Sequence, residues 1–182
     1  IRMRNVGAIP HWDNCHACKA LMGKEKITGF REMVYYVFRR VNEIVKSFGK
    51  QTIIWNDQLE VGKPIDLPKD IIVEYWYNHM IVDDNGTLEP GVYQLLLDQG
   101  FTTINALGRN GYTTPNCMKE ADIRIWDTHD EIVGNEKVSG NILGGETCSW
   151  ETGNPKYRYY HFVIPIANTV FADRLWNHQP TE

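Results

Sequence analysis

The sequence predicts an α/β fold built on a parallel sheet, and three observations carry that prediction. Short runs such as Ile53-Ile54-Trp55 are apolar throughout rather than alternating, the mark of strands buried on both faces. Stretches with helical spacing lie between those runs, as parallel strands require of their crossovers. No internal repeat or low-complexity linker interrupts the succession, so residues 1–182 read as a single domain.

A closed eight-stranded barrel of this class takes about 250 residues, or roughly 30 per unit. At 182 residues the chain supplies about four strands, with a leading segment that reads as the tail of another. The expected architecture is therefore a partial (β/α)8 TIM barrel, its back half.

The clearest helix spans residues 29–48. Phe30, Met33, Val34, Val37, Phe38, Val41, Ile44, Val45 and Phe48 recur at three- and four-residue spacing, one apolar stripe. Thr28 is placed as its N-cap and Gly49 as its stop. Residues 52–55 and 71–76 follow as two buried strands rich in β-branched side chains. Pro90 opens the next helix and Gly100 ends it. A third strand covers 102–106. Residues 107–137 are expected to be a long loop with a short helix inside, and a fourth strand covers 142–149. Ile166, Ala167, Val170, Phe171 and Leu175 predict the last helix, with Pro165 in its first turn.

Composition excludes several classes of protein. Hydrophobic residues at 42% and charged residues at 23% describe an ordinary globular chain, neither disordered nor disulfide-dense. A net charge of -4 and a pI near 5.9 argue against a nucleic-acid or anionic-membrane surface. No apolar run approaches the roughly 20 residues that span a bilayer. The chain opens on Ile1 without a signal-peptide pattern and reads as a piece of something longer. Cys15 and Cys18 form a lone CxxC beside His16, with His11 nearby; four ligands within eight residues would strain a tetrahedral metal site. The pair reads as packed or loop-capping, and no metal is assigned.

The aromatic share, 12% with six Trp and nine Tyr, is the unusual feature. In parallel α/β folds the ligand site lies beyond the carboxyl ends of the strands. Those ends carry Trp55 with Asp57, Trp76, Asn105 leading toward Tyr112, and Trp150 with Glu151. Tryptophan faces pack against sugar C–H groups while carboxylates accept hydroxyl hydrogen bonds. An aromatic plug in a barrel mouth is the alternative reading.

The segment Gly144-Gly145-Glu146-Thr147-Cys148-Ser149-Trp150-Glu151 resembles the strand-eight motif of glycoside hydrolase family 20, the β-N-acetylhexosaminidases. Ala167-Asn168-Thr169-Val170-Phe171-Ala172-Asp173-Arg174-Leu175-Trp176 is similar to that family's closing helix. Residues 38–45 leading into Ile53-Ile54-Trp55-Asn56-Asp57 resemble its helix four and strand five, and Val73-Glu74-Tyr75-Trp76 its strand six. The succession runs in the family's order over nearly the whole chain. The resemblance implies strands five to eight of the barrel and an exo-glycosidase that releases terminal β-linked N-acetylhexosamine. It also implies that Trp55, Trp76 and Trp150 wall the pocket and that Glu151 accepts from ring hydroxyls. Tyr112 would hold the acetamido oxygen, although the family's Tyr-x-Asp is replaced by Tyr112-Thr113-Thr114. Asp57 is a candidate contact to a sugar hydroxyl, directly or from behind the residues that touch it, with a solvated loop carboxylate as the alternative reading. Glu146 is left outside the site.

That family hydrolyses with help from the substrate's own acetamido group, oriented by an Asp beside an acid Glu. The matching stretch is Asn5-Val6-Gly7-Ala8-Ile9-Pro10, with Gly7 and Ala8 where the pair is expected. His11 reads as a surface loop residue rather than a substitute acid. The expected outcome is a weak or inactive chain, with a non-catalytic sugar-binding half-barrel or a self-assembling fragment as the alternative. No cofactor is implied, since no phosphate-cradling glycine loop is present. Expected partners are an N-acetylhexosamine-containing glycan and either a second copy or a missing N-terminal half-barrel, because half a barrel exposes sheet edges and an apolar inner face.

Overall fold

The computed structural model describes residues 15–76, 92–106, 120–130, 137–148 and 164–177. Five helices and four strands fall within them: α1 (His16–Glu25), α2 (Phe30–Ser47), β1 (Ile53–Trp55), β2 (Ile72–Tyr75), α3 (Val92–Asp98), β3 (Thr102–Asn105), α4 (Glu120–Ile125), β4 (Ile142–Gly145) and α5 (Ile164–Asn177). The four expected helices and the four expected strands are represented, while the leading segment read as the tail of another strand lies outside the described residues; α1 is an addition. Its absence from the sequence reading has a physical cause: none of its residues is buried, so no apolar stripe marks it. The CxxC pair starts it. Cys15 is the N-cap, and its Sγ accepts from the Cys18 backbone N–H at 3.3 Å.

Helix α2 is amphipathic as expected, with Met33, Val34, Tyr35 and Phe38 buried. Its stripe is only partly used: Ile44 and Phe48 stay exposed. The N-cap assignment needs correction. Gly29, not Thr28, holds that position. The Thr28 backbone N–H and hydroxyl instead donate to the Glu32 carboxylate at 2.7 and 2.9 Å, which draws the preceding chain onto the first turn. Gly49 after α2 and Gly100 after α3 both take left-handed φ, +66° and +82°, the stop that glycine makes without strain.

All strands are parallel, in the order β1-β2-β3-β4. Ile53 pairs with Ile72 and Trp55 with Glu74; Ile72 then pairs with Thr102 and Tyr75 with Asn105. Strand order follows chain order without the reversal of a doubly wound sheet. One face is covered: Ile54, Val73 and Tyr75 join Val34, Tyr35 and Phe38 of α2 and Tyr93, Leu96 and Leu97 of α3 in one cluster. Tyr75 and Tyr93 stack at 4.1 Å, and the Tyr93 hydroxyl meets Thr103 Oγ1 at 2.8 Å. Burial drives the Tyr93 phenol well above its ordinary pKa.

Strand β4 ends at Gly145, short of the 142–149 expected, and its register against β3 shifts between Thr103 and Asn105. Pairing still continues past its end, where Glu146 N–H donates to Asn105 O at 3.0 Å. A second cluster closes this side: Trp126 stacks on Phe171 of α5 at 4.8 Å, beside the buried Ile123 of α4. Arg174 Nε donates to Trp126 O at 2.8 Å.

Between them, Asp127–Asp130 form a hydrogen-bonded turn. Asp127 accepts from His129 N–H at 2.8 Å, and Asp130 accepts from Asp127 N–H at 2.8 Å. Lys137 Nζ lies 2.5 Å from Asp130, whose side chain is 1% exposed, and 3.7 Å from Asp127. Burial pushes the Asp127 carboxyl up, but the His129 N–H and ring and the Lys137 charge outweigh it and hold it below the ordinary value. A carboxylate depressed in the folded state contributes stability above its unfolded pKa and loses it as pH falls through the folded one. Asp127→Asn should therefore flatten the acid limb of the stability profile below about pH 4. Urea midpoints measured against pH check this; an unchanged limb would contradict the pairing.

Candidate functional site

At the carboxyl ends of β1 and β2 the structure brings together three of the residues that the sequence places in a site, Trp55, Asp57 and Trp76. β1 ends on Trp55, and a turn of 3-10 helix, Asn56–Gln58, follows at once. β2 ends at Tyr75, so Trp76 is the first residue beyond it. The two indoles meet edge to face, with centroids 6.5 Å apart at 90°. Trp55 shares one buried cluster with Ala106, just past β3, and Cys148, past β4; Trp76 packs against that cluster. Three of these four are deeply buried, while Trp76 is half-exposed.

The turn after β1 holds Trp76 at two points. Asn56, 1% exposed, accepts from the Trp76 backbone N–H through Oδ1 at 3.0 Å. Asp57 accepts from the indole N–H through Oδ2 at 2.9 Å. Ala106 N–H donates to Tyr75 O at 2.8 Å, which locks the ends of β2 and β3 together. The result is an aromatic wall with a buried floor.

Of the expected site residues, Trp55, Asp57 and Trp76 are thus neighbours. Tyr112, Trp150 and Glu151 lie outside the described residues, as do Gly7, Ala8 and His11. Sequence reasoning missed Asn56, Ala106 and Cys148. Asn56 was detectable in principle, as an amide directly after the tryptophan that ends an apolar strand. Ala106 and Cys148 carry no polar signal and are found only through contact. Among the described residues no three His, Cys, Asp or Glu side chains converge to hold a metal ion, and no helix is long and apolar enough to cross a membrane.

Fold and mouth together define a parallel α/β protein of the barrel-building kind, with an aromatic wall at the carboxyl ends of its strands. The chain belongs to glycosyl hydrolase family 20: the sequence model of that family's catalytic domain matches residues 8–179. Among characterised relatives it is 22% identical over 166 residues to the β subunit of β-hexosaminidase from Entamoeba histolytica, covering 87% of this chain and 28% of that protein. A shorter match, 38% over 66 residues, is to lacto-N-biosidase from Bifidobacterium bifidum, covering 36% of this chain and 5% of that protein. Among solved structures, the exo β-N-acetylglucosaminidase of Vibrio harveyi superposes with a TM-score of 0.67 at 18% identity, covering 92% of this chain and 27% of that one. The chitobiase of Flavobacterium johnsoniae superposes with a TM-score of 0.60 at 24% identity, covering 91% and 24%. The chain spans about a quarter of the length of several of the relatives it matches.

Proposed function

We propose that the chain builds the pocket side of a β-N-acetylhexosaminidase-type site, contributing strands five to eight of a (β/α)8 barrel. The single observation that supports this most is the meeting of Trp55 and Trp76 at 6.5 Å over a buried floor, at the strand ends of a family 20 chain. In this reading Trp55, Trp76 and Trp150 enclose a terminal N-acetylhexosamine and its acetamido group. Glu151 accepts from ring hydroxyls, and Tyr112 donates to the acetamido oxygen. Enclosing the acetamido group positions its carbonyl to attack the anomeric carbon, the retaining, substrate-assisted route of the family.

Turnover needs an orienting Asp and an acid Glu, and Gly7 and Ala8 occupy the stretch where the resemblance places them. Loss of a general acid costs roughly 10²–10⁴-fold in rate. The reading is therefore binding with little hydrolysis. N-acetylglucosamine should quench the tryptophan fluorescence of the chain, and Trp76→Ala should abolish the response. Release of p-nitrophenol from the β-N-acetylglucosaminide should stay near background. Silence in the fluorescence would sink the pocket; rapid hydrolysis would sink the assignment of Gly7 and Ala8.

A second reading concerns assembly, and one observation favours it. Ile53 and Leu143 alternate with residues that face the helices, and they are 43% and 59% exposed on the opposite face of the sheet. That face fits a complementary half-barrel, either another copy or an N-terminal half. Sedimentation of the chain should reveal self-association, and a monomer at high concentration would argue for the separate half.

A further inference from the structure

We infer that Asp57 is a positioning residue: its carboxylate fixes the ring angle of Trp76 rather than binding sugar itself. The inference rests on the reading of Trp76 as a pocket wall and assigns Asp57 its part in that wall.

An indole attached to the chain turns about two bonds, and the outer one, sp3 to sp2, has a broad torsional profile. Packing against Trp55 alone would leave the ring free to slide, because an edge-to-face contact tolerates a range of angles. An acceptor at the N–H edge removes that freedom. Asp57 Oδ2 supplies it at 2.9 Å, a charge-assisted bond across a sequence separation of 19 residues. Its neighbour Asn56 fixes the other end of the same residue, accepting the Trp76 backbone N–H at 3.0 Å. Backbone and ring are therefore held by consecutive side chains of one short turn. That turn leaves β1 directly after Trp55, so the two indoles are set by the same piece of backbone. Glu60, the next acidic residue, is committed elsewhere: it pairs with Lys63 at 2.6 Å and with Arg31 at 3.8 Å.

A ring so held meets a sugar already oriented, so ligand binding need not bear the cost of ordering it. What Asp57 must provide is an acceptor, not a charge. Asn at this position keeps an acceptor oxygen, whereas Ala does not.

The test uses the full chain with Asp57→Ala, Asp57→Asn and Trp76→Phe. Near-ultraviolet circular dichroism without sugar reads the indole geometry, and Trp76→Phe identifies the contribution of that ring. Asp57→Ala should lose that contribution and Asp57→Asn should keep it. N-acetylglucosamine, followed by fluorescence, should bind about tenfold more weakly to Asp57→Ala, equivalent to about 1.4 kcal/mol, with Asp57→Asn near wild type. An unchanged near-ultraviolet spectrum in Asp57→Ala would overturn the inference. So would an Asp57→Asn variant that keeps the spectrum but binds as poorly as Asp57→Ala, since the charge would then be touching the ligand. If the wild-type chain shows no response to the sugar, the pocket reading fails and the sugar-free spectra alone decide the role of Asp57. If Asp57→Ala loses its far-ultraviolet helical signal, exchange of the Trp76 indole N–H in the wild type decides instead: protection supports the bond, and exchange at the solvent rate overturns it.

Discussion

Replacing Gly145 with alanine should lower the unfolding free energy of the chain by about 2–3 kcal/mol, the upper part of the range for an overpacked core. A Cβ built on Gly145 would stand 2.4 Å from Cη2 of Trp126 and 3.0 Å from Cδ2 of Leu175. The nearer neighbour is no loose chain end: Trp126 is 1% exposed, stacked on Phe171, with its own carbonyl held by Arg174. Trp126→Leu, alone, should also destabilise, by removing ring atoms from a packed cluster. The two changes share one volume, so they should not add: Trp126→Leu in the Gly145→Ala background should recover part of the loss. Urea unfolding of the two single variants and the double variant completes the cycle. Strict additivity would mean that the steric conflict is relieved by backbone movement instead.

Asn105→Asp should be still more damaging, by about 3–5 kcal/mol at neutral pH, the penalty for a buried charge without compensation. Asn105 is fully buried, and its Nδ2 donates to Thr128 O at 2.9 Å and to Asp130 O at 3.1 Å. The substitution keeps the shape and turns the donor into an acceptor that faces two carbonyl oxygens. Asn105→Ala, which removes both donors without adding a charge, should cost about 1–3 kcal/mol. The aspartate variant also carries a pH signature. Burial raises its carboxyl pKa in the folded state, so the folded chain binds the proton more tightly than the unfolded chain does. Its stability should therefore recover as pH falls through that raised value, opposite in sign to the effect of Asp127. Equal stabilities of Asn105→Ala and Asn105→Asp across pH would show that the amide donors do not hold the 127–130 turn.

The parallel sheet was legible chiefly from the apolar runs around β1 and β2, and Ile71, Val73 and Tyr75 are indeed fully buried. Helix α2 announced itself through a stripe that packs on that sheet. Helix α1 did not, since a helix that buries nothing has no reason to show periodicity. The ends of elements were harder. Thr28 has the chemistry of a cap, yet Glu32 reached it first, and propensity alone cannot rank two such local bonds. Among the described residues, the strand-end positions of Trp55 and Trp76 were legible: a tryptophan at the end of an apolar strand is conspicuous. Their support was not. That Asp57 faces an indole, and that Cys148 joins the cluster of Trp55, depends on contacts between turns that sequence spacing does not encode.

The Trp55–Trp76 wall also has a temporal side. Its bonds join residues 19 and 20 positions apart, between strands adjacent in both chain and sheet, whereas Arg174 reaches Trp126 across 48 positions. Short loops close at smaller entropic cost than long ones, and folding rates follow that difference. The wall can therefore form as soon as β1 and β2 pair, before α5 arrives to seat Trp126. During folding or synthesis, the Trp55–Trp76 wall would be shaped first and the remaining strands would assemble against it.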